Sequence, residues 1–178
     1  MIEIKQIYTS EKADYLFAEK LLISAFPKEE RRDVSLQREY TDFNKQFYNN
    51  ILLVNQEPVG FISYWSFKNF LYIEHFAIDE TKRNGGYGKE VLTLLEKNTK
   101  LPIVLEVELP ENEISKRRIE FYQRQGFRLL KDTYQQPPYR EEDNYLPMML
   151  MMNADSNTVS FEHIKSTLYR KVYRVKEY

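Results

Sequence analysis

Cysteine is absent from the 178-residue chain. Disulfides, zinc sites built on thiolates and a covalent thioester on the enzyme are thereby excluded. No apolar run approaches bilayer-spanning length, and the start, Met1-Ile2-Glu3-Ile4-Lys5, lacks a basic segment followed by an apolar one. The expectation is a cytoplasmic protein with no membrane association. Neither charge sign dominates: 26 Lys and Arg stand against 27 Asp and Glu, for a net charge of -1. Nothing in that balance selects a phosphate backbone, so nucleic acid is not an expected partner. Glycine is scarce at five residues, yet three of the five fall between positions 85 and 88.

What is abundant is apolar and aromatic area. The composition is 42% hydrophobic and 15% aromatic, with 14 Tyr and 11 Phe, enough for one substantial core and one domain, and too much for a disordered chain. Ile2 to Tyr8 alternates like a half-buried strand, and Ala13, Phe17, Leu21 and Ala25 recur at helical spacing as far as Pro27. Leu36, Tyr40 and Phe43 fit one face of a second helix. Phe47 to Val54 and Val59 to Ser66 read as a hairpin around Asn55-Gln56-Glu57-Pro58, and Phe70 to Ile78 as a further strand. A glycine loop, a helix from Lys89 to Asn98 and a strand from Pro102 to Leu109 follow. The helix Glu113 to Gln125 is stopped by Gly126, and strands are expected at Phe127 to Thr133 and Tyr145 to Met152. Between those strands, Tyr134 to Asn144 contains Pro137-Pro138 and reads as irregular. Phe161, Ile164, Leu168 and Val172 mark a terminal helix. This order predicts an α/β (α+β) single domain with a mixed sheet and helices on both faces.

The glycine loop carries the chemistry. Glycines at a helix N-terminus let backbone N–H groups converge on an anion. A dinucleotide fingerprint needs a glycine where Val91 stands, and a Walker loop needs Ser or Thr where Glu90 stands. The remaining pattern, Arg-x-x-Gly-x-Gly across Arg83-Asn84-Gly85-Gly86-Tyr87-Gly88, resembles the acyl-CoA pyrophosphate loop of GNAT acetyltransferases. Glu74-His75-Phe76-Ala77-Ile78-Asp79 before it looks like the end of that family's fourth strand, and Phe121-Tyr122-Gln123-Arg124-Gln125-Gly126-Phe127 like its Tyr-x-x-x-Gly-Phe element. The resemblance implies a mostly antiparallel sheet of six to seven strands in a domain over residues 1–152, followed by a helical extension over 153–178. That extension covers its own domain or a partner subunit, the latter giving a homodimer.

The implied activity is transfer of an acetyl group from acetyl-CoA to a primary amine, on a small molecule or a protein, without a metal. With no cysteine to carry the acetyl group, direct attack in a ternary complex is expected. By resemblance, the backbone of Phe76, Ala77 and Ile78 holds the pantetheine arm, and Tyr122 protonates the leaving thiolate. Ser115 takes the place of an asparagine that contacts the coenzyme in many relatives. Period-two geometry puts Glu106 and Glu108 on one strand face, which must open onto water, a cation or a ligand cleft. Family use of a glutamate in a Leu-Glu-Val context makes Glu106 the leading base, with Glu74 the alternative and His75 a third. Tyr134 to Tyr139 is similar to an element bordering the acceptor pocket in a bacterial subset of the family, which adds Tyr139, with Glu108, as substrate residues. A domain that binds acyl-CoA as a sensor or scaffold without transfer is the competing expectation.

Overall fold

Alternation in the first residues produces strand β1 (Ile2–Gln6), and helix α1 (Lys12–Ala25) then buries Tyr15, Ala18, Leu21 and Leu22, spaced three and four apart as one helical face requires. The computed structural model describes residues 1–155 and 157–176. The chain divides into two compact units, residues 1–100 and 101–178.

The first unit continues with α2 (Val34–Phe43), β2 (Phe47–Val54), β3 (Glu57–Ser66), β4 (Leu71–Ile78) and α3 (Tyr87–Asn98). Its four strands pair antiparallel in chain order. Asn55 and Gln56, both at positive φ, make the tight turn between β2 and β3, the backbone hand that suits the twist of a two-residue hairpin. Consecutive residues on these strands, Ile51 with Leu52 and Phe61 with Ile62, are all buried, so the sheet is covered on both faces. On one face Ile51, Leu53, Phe61 and Ala77 meet the buried stripe of α1. A Cβ on Gly60 would lie 2.4 Å from the Ala77 carbonyl oxygen, so the approach of β3 to β4 requires glycine there. Helix α2 is rotated from expectation: Gln37, Tyr40 and Thr41 face inward, while Phe43 is 78% exposed. The buried polar pair arises because Gln37 receives a hydrogen bond from Arg32 and Thr41 one from Asn49.

The second unit contains β5 (Ile103–Glu108), α4 (Glu113–Arg124), β6 (Arg128–Leu129), β7 (Tyr134–Gln136), β8 (Leu146–Met152) and α5 (Phe161–Thr167). Strand β8 pairs antiparallel with β5 along one edge and with β6 and β7 along the other. The strand expected over 127–133 shrinks to two residues, and the segment expected to be irregular supplies β7. Pro137-Pro138 ends β7, since proline has no N–H for the ladder. The described residues thus hold eight strands, against the six to seven expected. After α5, Leu168–Val172 form a π-helical turn closed by Tyr173 N–H donating to the Leu168 carbonyl, 3.1 Å, an i to i+5 bond. Ile164, Leu168, Tyr169, Val172 and Tyr173 are buried, and Tyr169 and Tyr173 bond to residues of the same unit.

Candidate active site

In the first unit, β4 runs into a turn fastened by Asp79, whose carboxylate accepts from the Thr81 backbone N–H at 2.9 Å and hydroxyl at 2.6 Å. Those bonds hold the Asp79 carboxyl below its ordinary range. Arg83 through Gly86 are exposed. Asn84 and Gly86 adopt positive φ, 68° and 77°, and Gly86 is the N-cap of α3. No side chain caps that first turn, and nothing lies within 4 Å of where a Gly86 Cβ would be. Open N–H groups at the positive end of a helix fit a diphosphate. Arg83 anchors the loop by donating from Nε to the Ile78 carbonyl at 3.2 Å. Gly85 borders the Tyr87 ring: a Cβ there would lie 2.9 Å from a ring carbon. Gly88 belongs to the first turn of α3. Phe76, Ala77 and Ile78 end β4 and pair with Ile62, Phe61 and Gly60.

Glu74 and His75, the second and third candidates for the base, are closed. The β3–β4 register shifts between the pairs Ser63–His75 and Tyr64–Ile73, as at a bulge, and the Glu74 side chain between them is fully buried in an ion pair with Arg32. The Trp65 indole N–H also donates to Glu74, at 3.1 Å. The Arg32 guanidinium lies 4.8 Å from the Tyr40 ring centre and 5.2 Å from that of Phe47, a cation–π setting that completes its burial. The arginine charge beside it offsets the cost of burying the carboxylate. His75 is equally enclosed: Nε2–H donates to the Glu30 carbonyl at 2.9 Å, and Nδ1 faces the Ser63 hydroxyl at 3.4 Å. Burial lowers its pKa and keeps the ring neutral.

In the second unit, Tyr122 lies on α4 against Phe121 and Phe127, with ring centres 5.2 and 5.6 Å away. Burial pushes its hydroxyl up to about 12, opposed by the Arg118 charge. It is therefore protonated at neutral pH, the state a proton donor needs. Ser115 differs from its expected role. Its hydroxyl donates to the Asn112 carbonyl at 2.9 Å and accepts the Asn112 N–H at 3.2 Å, and the residue is buried. This is half of a capping box, which engages the hydroxyl at the helix end.

Glu106 and Glu108 share a face of β5, and the register puts Leu150 and Met148 of β8 and Tyr134 of β7 on that same face. The two carboxylates have separate fates. Glu108 pairs with Arg118 at 2.8 Å in a half-exposed salt bridge. Glu106 accepts a hydrogen bond from the Tyr134 hydroxyl on one oxygen and from the Tyr173 hydroxyl, 2.7 Å, on the other. Tyr134 is buried, and burial with the Glu106 charge raises its pKa well above the ordinary value, keeping it a donor. Tyr139 packs its ring on Tyr173, centres 5.0 Å apart. The sequence placed Glu106 and Tyr139 but not Tyr173, which stands 67 residues from Glu106 with no motif around it.

Comparison with known proteins gives these features a common frame. Among functionally curated proteins no sequence matches. A Bacteroides thetaiotaomicron protein assigned to the GNAT acetyltransferases is 49% identical over 98% of this chain and 99% of its own, with a TM-score of 0.92. An aminoglycoside 6'-N-acetyltransferase complexed with coenzyme A shares the fold at 16% identity and TM-score 0.63, over 84% of this chain and 95% of that one. Arabidopsis thaliana Naa50 in complex with a bisubstrate analogue does so at 18% identity and TM-score 0.61, over 86% and 99%. Residues 4–127 match the profile of the Acetyltransferase (GNAT) family, and the chain accordingly belongs to that family of acetyl-CoA-dependent acetyltransferases.

Proposed function

We propose that this acetyltransferase acts on a primary amine by direct attack in a ternary complex, with Glu106 serving the amine and Tyr122 the leaving group. Acetyl-CoA supplies the activated acetyl thioester. The loop Arg83 to Gly88 holds its diphosphate through main-chain amides, and the backbone of Phe76, Ala77 and Ile78 holds the pantetheine arm. Tyr122 gives its hydroxyl proton to the departing sulfur, and Glu106 receives the proton released by the amine, directly or through water. The absence of cysteine supports transfer without an acyl-enzyme.

One observation carries the assignment of Glu106. Glu74 and His75 are buried and engaged and Glu108 is salt-bridged, whereas the two oxygens of Glu106 each accept a tyrosine hydroxyl, which orients the carboxylate as a proton acceptor requires. Residues 1–152 form the transferase domain in this reading, and 153–178 an extension of it. A bacterial cytoplasm is the proposed setting, supported by the Bacteroides thetaiotaomicron relative. Because one neighbour of this fold is an aminoglycoside acetyltransferase and another was captured with the analogue CoA-Ac-MVNAL, the acceptor panel begins with aminoglycosides and peptides bearing a free N-terminus.

The test follows free thiol while the purified protein is incubated with acetyl-CoA and that panel. Amine-dependent thiol release is expected, with kcat lowered about 100-fold or more in Glu106→Gln and about 10- to 1,000-fold in Tyr122→Phe. Binding of acetyl-CoA without thiol release for any amine would replace this reading with that of a sensor.

A further inference from the structure

The Glu106 carboxylate is gripped by groups from two segments far apart in the chain, and one of them lies beyond the transferase core. Resting on the assignment of Glu106 to the acceptor amine, we propose that the C-terminal segment completes the acceptor side of the enzyme: Tyr173 is a positioning residue that, with Tyr134, fixes the orientation of the Glu106 carboxylate.

The two hydroxyls reach different oxygens, Tyr134 on Oε1 and Tyr173 on Oε2. A carboxylate bonded on one oxygen still swings about its last torsion, which is broad and roughly two-fold. Bonding both oxygens removes that freedom. Orientation of this kind matters because a displacement of about 1 Å at a reacting group costs about 100-fold in rate. Both donors are themselves braced. The Tyr134 ring contacts Phe161 and Tyr169, with centres 6.5 and 6.0 Å away. The Tyr169 hydroxyl donates to the Gln135 carbonyl at 2.6 Å, which pins the π-helical turn to β7 beside Tyr134. Tyr173 leaves that turn four residues later and packs its ring, tilted by 59°, against Tyr139. An i to i+5 turn winds one more residue between bonded groups than an α-helical turn, and such turns occur frequently at functional sites. Here it lets Tyr169 reach β7 while Tyr173 reaches β5.

None of these tyrosines falls within the family profile, which ends at residue 127. The 49% identical structure, aligned over 98% of the chain, necessarily takes in most of residues 153–178. Tyr173 thus lies beyond the proposed transferase domain, while Tyr134 lies within it, and both meet the one carboxylate.

The experiment is a double-mutant cycle. Glu106→Gln, Tyr173→Phe and the double variant are assayed with acetyl-CoA and whichever panel amine, aminoglycoside or free-N-terminal peptide, the wild-type enzyme turns over. Phenylalanine keeps the ring against Tyr139 and removes only the donor. Tyr173→Phe is expected to lower kcat/KM for the amine about tenfold, to leave KM for acetyl-CoA unchanged, and to have less than a roughly twofold effect when Glu106 is already Gln. Tyr134→Phe should behave in the same way. An unchanged kcat/KM in Tyr173→Phe, or losses that simply add in the cycle, would overturn the inference and leave the assignment of Glu106 standing. A fully active Glu106→Gln would overturn both.

Discussion

His75 illustrates how burial turns a candidate catalytic group into a structural one. Its ring donates to a main-chain carbonyl and faces a serine hydroxyl, and burial is the main reason its pKa falls below 6.5. The unfolded chain takes up a proton at this residue below pH 6.5, whereas the folded chain resists it. The stability it contributes is therefore complete above pH 6.5 and is lost as pH falls toward the folded value. Melting temperature is expected to fall between pH 7 and pH 5, and His75→Gln to flatten that dependence; calorimetry of both proteins across the range measures it. The other histidine, His163, is exposed. At this scale the sequence shows which residues carry chemistry but not which are sealed. Glu106 and Glu74 both sit in strands with apolar neighbours, and only the third dimension separates the carboxylate facing two tyrosines from the one facing arginine. Ser115 also has a role the motif does not announce: three residues after Asn112, it completes a capping box.

Among the elements, β3 and β4 show how one glycine sets a strand spacing. Gly60 faces the Ala77 carbonyl and the Ile78 side chain so closely that a methyl group has no room, and its main contact is backbone, which cannot rotate aside. Gly60→Ala is expected to destabilise the protein by about 1–3 kcal/mol, seen as a lower urea midpoint with an unchanged slope. The same displacement of Ala77 and Ile78 would weaken acetyl-CoA binding. Strands and loops with strong local signals, such as the Asn55-Gln56 hairpin and the glycine loop, were legible because turn chemistry and period-two alternation are local properties. Helix α2 was not. Arg32 and Asn49, from the segments flanking the helix, draw Gln37 and Thr41 inward, a polar preference that hydrophobic periodicity does not register, and Phe43 is turned outward. Strand β7 was hidden by its neighbouring prolines, although its ladder to β8 closes before them.

At the scale of the whole molecule, the family profile spans residues 4–127 and includes the glycine loop, Glu106 and Tyr122; the two tyrosines that bond Glu106 lie after it. Motif-level resemblance accordingly reached Glu106 and Tyr139 but not Tyr173, which no motif surrounds. Binding of acetyl-CoA to the folded state alone must raise its stability by mass action. At a coenzyme concentration of about 100 times Kd the gain is about 2.7 kcal/mol, a rise of several degrees in melting temperature. Thermal shift measurements with acetyl-CoA, and with Gly86→Asp as a variant whose side chain adds a negative charge to the loop, should show the rise in the first case and its loss in the second.

The π-helical turn also makes the tail sensitive to its length. Removing one residue between Thr167 and Tyr173 would favour ordinary α-helical winding, in which each position advances by about 100°. The aromatic side chain arriving at that point would then leave the axis in a different direction, away from β5. Short insertions and deletions in the tail, often harmless near a chain terminus, would here be read out as loss of turnover.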